Sequence, residues 1–103
     1  MFEAVVSQEG TVRRIRLNGE FDLQGFPEAV GLFSESIGDG FSAVEIDLRG
    51  LTFMDSSGIR ALFTAHRQSE AVGKPLTIIP GPNVQRVLDT AGATELLPFP
   101  TEE

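Results

Sequence analysis

An alternating apolar strand, Val44, Ile46 and Leu48, runs up to Phe53-Met54-Asp55-Ser56-Ser57-Gly58-Ile59, and a helical pattern (Ile59, Leu62, Phe63, His66) begins inside that segment. A change of period from two to 3.6 across small polar residues marks a strand-to-helix junction. The first N–H groups of a helix have no intrahelical partner. Asp55 or Ser56 would cap them, and Gly58 would permit close backbone packing. The positive end of the helix would also tolerate a phosphate on a hydroxyl placed there. One capping residue suffices, yet the whole stretch between Met54 and Ile59 is polar or small. Neither serine is followed three residues later by Glu or Gln, so the segment is not a capping box.

The remaining pattern supplies the frame around this junction. Residues 2–8 and 11–18 read as two strands joined by Glu9-Gly10, with Ile15 and Leu17 on one face and Arg14 and Arg16 on the wet one. Gly19-Glu20-Phe21-Asp22-Leu23 then leaves the sheet. Phe26, Ala29, Val30, Phe33 and Ile37 fall at helical spacing, Pro27 sits in the first turn, and Gly38-Asp39-Gly40 stops the helix. The third strand is Ala43 to Leu48, with Glu45 and Asp47 facing away from its apolar set. The second helix runs from about Ser57 to Val72 and ends at Gly73-Lys74-Pro75. Leu76 to Ile79 is a short, nearly continuous apolar strand that reads as buried and central. Pro82 opens a third helix, with Val84, Val87, Leu88 and Ala91 on one face and Gly92 at its end. Leu96-Leu97-Pro98-Phe99 adds a last strand or short helix.

Strands alternating with helices require crossovers. The expected fold is therefore α/β: one domain over 1–103, with a mostly parallel four- or five-stranded sheet, an N-terminal antiparallel hairpin and helices on one side. The hairpin edge leaves homodimerisation open.

Composition narrows the function. A formal charge of −7 disfavours nucleic acid and anionic membranes, and suits a protein partner with a basic docking patch. With no cysteine, thiol chemistry and thiolate metal sites are excluded. Met1-Phe2-Glu3-Ala4 has neither a basic n-region nor an apolar h-region, so no signal peptide is expected. No apolar run nears the roughly 18 residues of a membrane span, and the expected location is the cytoplasm.

Enzyme readings lack parts. His66, the only histidine, lies ten residues from Ser56 on the same helix, about 15 Å away by rise, far beyond the reach of a general base. It reads as a partly buried histidine with one satisfied ring nitrogen. No phosphate-cradling glycine loop is present, so no cofactor is expected. Asp22, Asp47 and Asp55 could converge on Mg²⁺ near the ends of the strands, but nothing forces it, and no metal is expected. The one lysine, Lys74, precedes a strand rather than ending one, which disfavours a phosphoacceptor aspartate site.

The Phe53–Ile59 segment after a strand, together with Gly19-Glu20-Phe21-Asp22 after the second strand, resembles the paired signature of STAS domains, typified by bacterial anti-sigma factor antagonists. The resemblance extends over essentially the whole chain, including the Gly73-Lys74-Pro75-Leu76 step. It implies a non-enzymatic binding module whose serine after the motif aspartate, here Ser56, is phosphorylated by an anti-sigma factor that is also a serine kinase. A phosphoserine phosphatase would reset it. Asp22, Asp55, Ser56, Ser57, Gly58 and Arg60 would then form or flank the docking surface, Ser57 with a capping role. Arg60, one turn after Ser56 where many relatives carry a small residue, reads as a solvated cation in preference to a phosphate partner. Gln24-Gly25-Phe26-Pro27 lacks the Ser or Thr often found after the first turn. The other reading within the same fold is a stand-alone STAS subunit bracing a transport ATPase.

Overall fold

Two alternating strands flanking a glycine make the hairpin. In the computed structural model, which describes residues 1–97, β1 (Phe2–Glu9) runs antiparallel to β2 (Val12–Phe21). Glu9 pairs with Val12, so the turn is Gly10-Thr11, one residue later than expected, and Gly10 takes the left-handed φ of 61°. A 3-10 turn (Leu23–Gly25) leads into α1 (Phe26–Gly38), followed by β3 (Ala43–Met54), α2 (Ser56–Val72), β4 (Leu76–Ile79), α3 (Gly81–Ala91) and a second 3-10 turn (Thr94–Leu96).

The described strands form one four-stranded sheet in the order β1-β2-β3-β4, with β3 parallel to both β2 and β4. β4 is therefore an edge strand, not the central one its apolar run predicted. Its two faces alternate between buried and half-buried, which accounts for the run without a strand on its far side. At the other end of the chain, Leu96 closes a 3-10 turn rather than a strand; Pro98 and Phe99 lie outside the described residues.

One face of the sheet carries Ile15, Leu17, Val44, Ile46, Leu48 and Ile78, all buried. The helices cover this face, contributing Ala29 and Phe33 from α1, Ala61 and Leu62 from α2, and Val84 and Leu88 from α3 to the same core. Arg14, Arg16, Glu45 and Asp47 occupy the opposite, open face. Asp47 is nevertheless only 2% exposed, because Arg49 folds back over it: the Arg49 backbone N–H and Nε donate to Oδ1 at 3.0 Å each, and Nη2 donates to Oδ2 at 2.8 Å. These bonds hold the Asp47 carboxyl below the usual carboxylate range.

Two further differences from the sequence reading shape the site. β2 does not end at Asn18, nor β3 at Leu48: both run on, through Phe21 and Met54, with register shifts between Arg16 and Asn18 and again between Gly19 and Glu20. Extra residues in β3 absorb the shifts, so glycines and charges that look like strand ends sit inside bulges. Gly19 has φ 111°, and a Cβ there would lie 2.8 Å from the Met1 carbonyl oxygen, which accepts the Glu20 N–H. In α2 the buried stripe is Ser57, Gly58, Ala61, Leu62, Ala65 and Ser69, whereas the bulkier Ile59, Phe63 and His66 are only partly buried. Small residues bring this helix close to its neighbours; a Cβ on Gly58 would lie 2.3 Å from Met54 Cγ.

Candidate functional site

The continued strands bring the two motif turns together. Glu20 pairs with Phe53 and Phe21 with Met54, and the Asp55 N–H donates to the Phe21 carbonyl at 3.2 Å. Each turn is then closed by its own aspartate. Asp22 accepts from the Gln24 N–H at 3.1 Å and caps the Leu23–Gly25 turn, with the N-terminal ammonium 3.9 Å away. Asp55 caps α2: its Oδ1 accepts the Ser57 N–H at 2.9 Å and the Ser57 hydroxyl, and its carbonyl accepts the Gly58 N–H at 3.1 Å. Leu23 and Phe53, 65% and 49% exposed, leave apolar surface beside the paired turns.

The two serines part company here. Ser57 is 4% exposed and its hydroxyl donates inward to Asp55, so Asp55 is the cap and Ser57, expected to have a capping role, is instead one of the groups it caps. Gly58 is buried beside it. Ser56 is the first residue of α2 and is exposed, and its hydroxyl makes no hydrogen bond among the described residues. It opens on a groove of about 390 Å³ between α2 and α3, lined by Ser56, Ile59, Arg86, Val87, Thr90 and Ala91. Val87 and Ala91, expected on the apolar face of α3, form part of this groove, Val87 half-buried against the edge of the core and Ala91 exposed.

Arg60 turns elsewhere. Its guanidinium carbon lies 4.8 Å from the centroid of the Phe26 ring, and it lines a second hollow of about 330 Å³ with Phe26, Phe63, Thr64 and Arg67. It is neither a plain solvated cation nor part of the Ser56 groove. The arginine that shares the groove is Arg86 of α3, which the sequence reading passed over. A helix thirty residues further along the chain gives no local sign of where it will dock; the available signal was an apolar pair, Val87 and Ala91, on a helix face with no partner assigned.

These placements fix what the site can do. His66 has a buried Nδ1 with no hydrogen-bond partner, and its Nε2 is 3.6 Å from Glu70 Oε1, so the expected satisfied nitrogen is not found. It is a stretch of helix away from Ser56. Asp47 lies on the far face of the sheet under Arg49, and among the described residues no three His, Cys, Asp or Glu side chains converge on a cation position. Ser56 thus has an accessible oxygen with no activating base bonded to it among the described residues. No helix of the described residues is long and apolar enough to cross a membrane.

A family model described as "Mlab, STAS domain" matches residues 4–98. The anti-sigma F factor antagonist of Lysinibacillus sphaericus is 34% identical over 101 residues, spanning 96% of this chain and 85% of that protein. The anti-sigma factor antagonist SpoIIAA in its unphosphorylated form has a TM-score of 0.77 at 25% identity, covering 97% of this chain and 90% of that one. The Bacillus cell fate determinant SpoIIAA in its phosphorylated form has a TM-score of 0.70 at 26% identity, covering 99% of this chain and 93% of that one. With two motif turns locked side by side, a sheet of the same topology and a match along nearly its full length, this chain belongs to the STAS domain family of anti-sigma factor antagonists.

Proposed function

We propose that the protein binds an anti-sigma factor that is also a serine kinase, and that phosphorylation of Ser56 by this partner ends the complex until a phosphoserine phosphatase restores the hydroxyl. The observation that carries this reading is the contrast at the junction: Ser56 is exposed with an unengaged hydroxyl, while Ser57 is buried and bonded to Asp55. In the transfer, Ser56 Oγ forms a bond to the γ-phosphorus of ATP, ADP leaves, and the hydroxyl proton passes to a base supplied by the kinase. The docking surface would combine the Ser56 groove with Asp22, Asp55, the exposed Leu23 and Phe53, and Arg60 on the neighbouring turn. Ser57 and Gly58 act from beneath, by holding the turn in shape.

The physical consequence follows from charge. A phosphoserine adds about −1.5 to −2 charge at pH 7. Carried unpaired into a closed interface, such an anion imposes a penalty of several kcal/mol, and about 1.4 kcal/mol is tenfold in affinity. Helix α2 keeps its Asp55 cap, so the complex can break while the domain stays folded. Incubation with the candidate kinase and ATP, followed by mapping of phosphate by mass spectrometry, should place it on Ser56 and leave Ser57 unmodified. Phosphate on Ser57, or on neither serine, would refute the assignment. An ATPase that co-purifies stably whatever the state of Ser56 would favour the transport reading instead.

A further inference from the structure

We propose that the phosphate on Ser56 is bound by Arg86 across the groove between α2 and α3, so that the modified protein covers its own apolar docking floor with an ion pair; this rests on the reading of Ser56 as the modified residue. Ser56 and Arg86 line the same groove of about 390 Å³, whose remaining walls are Ile59, Val87, Thr90 and Ala91. Arg86 is exposed and forms no ion pair among the described residues. Most other arginines are engaged: Arg14 with Glu45, Arg16 and Arg49 with Asp47, Arg13 over Phe41 and Arg60 over Phe26.

The carboxylate nearest in sequence does not compete, because Asp55 Oδ1 is turned toward the Ser57 N–H and hydroxyl. A phosphoserine offers three strong acceptor oxygens, and a guanidinium presents a planar fork that binds two at once. The N-terminus of α2 adds favourable partial charge to the same spot. The pair would lie over Ile59, Val87 and Ala91, replacing an apolar floor with a hydrated charged bridge. Release of a partner then has two causes: the loss of the groove and of Arg86 as contacts for that partner, and the part of the phosphate's charge that a single guanidinium leaves uncompensated.

The test installs phosphoserine at position 56 during synthesis, so that no kinase is needed, and follows the second ionisation of the phosphate by ³¹P NMR in native and urea-unfolded protein. The charged groups around the phosphate are Asp55 before it, Arg60 one turn on, Asp22 in the paired turn and Arg86 from α3. Pairing with a cation favours the dianion, so the native phosphate should titrate below the unfolded one by about half a unit. Arg86→Ala should remove most of that difference, Arg86→Lys should retain part of it, and Arg60→Ala should leave it in place. Wild-type values in Arg86→Ala, or loss of the difference in Arg60→Ala alone, would overturn the assignment to Arg86. A kinase that ignores Ser56 would break the functional reading while leaving this titration intact, so the two failures are separable.

Discussion

The open face of the sheet and the groove beside α2 each hold an arginine and an oxygen-bearing side chain, and they end in opposite states. On the sheet, Asp47 is buried beneath Arg49, with both carboxylate oxygens bonded and Arg16 3.9 Å away. In the groove, the Ser56 hydroxyl and Arg86 share walls but neither has a partner among the described residues. A charge satisfied within its own chain adds stability and has little left to offer another molecule. A donor and an acceptor left idle beside apolar surface add little to stability, and remain available to something that arrives. The contrast separates the part of the molecule that holds the fold from the part proposed to meet a partner.

That separation can be broken in stages. Asp47→Ala removes charge-assisted hydrogen bonds from a buried carboxylate and should lower stability by about 2 kcal/mol in urea unfolding. It should leave partner affinity unchanged; a loss of binding without a loss of stability would reverse the roles of the two regions. Asp55→Ala removes the α2 cap and should lower stability by about 1 kcal/mol by the same measurement. Here binding should weaken too, because Ser56 sits on the turn that the cap fixes.

Acid gives a smaller effect with a defined sign. Arg49 depresses the folded-state pKa of Asp47, so the pair contributes stability above the ordinary aspartate value of about 3.9 and loses it as pH falls toward the lower folded value. The gap in urea midpoint between wild type and Asp47→Asn should therefore be full near neutral pH and shrink below about pH 4. A gap that widens on acidification would contradict the assignment. The smallest change is Arg60→Ala, which loses a surface contact with Phe26 and should cost about 0.5 kcal/mol in thermal or urea unfolding.

The sequence exposed the parts of this comparison unevenly. Val44, Ile46 and Leu48 alternate cleanly, and the junction after them is legible because the period changes where capping residues stand. The hairpin, α1 and α3 were readable for the same local reasons. The far halves of β2 and β3 were not, since Gly19 and Gly50 look like strand ends and only cross-strand pairing shows them to be bulges. β4 was misplaced because a short apolar run reports burial, not its rank in a sheet. At the site, Ser56 and both aspartates are legible in the two motifs, whereas the capping role expected of Ser57 falls to Asp55, to which Ser57 donates. Arg60, one turn from Ser56 in sequence, reads as a solvated cation, but it lies over the Phe26 ring. Arg86 comes from a separate helix, and its place opposite Ser56 exists only once α3 has packed.

Calorimetric titration of the anti-sigma factor with Ser56→Ala and Ser56→Asp, run side by side, tests the proposed charge control of the docking surface most directly. The alanine protein should bind about as well as the unmodified chain, and the aspartate protein at least about tenfold more weakly, with equal thermal stability for both. Indistinguishable affinities for the two would mean that negative charge at this position does not govern the complex.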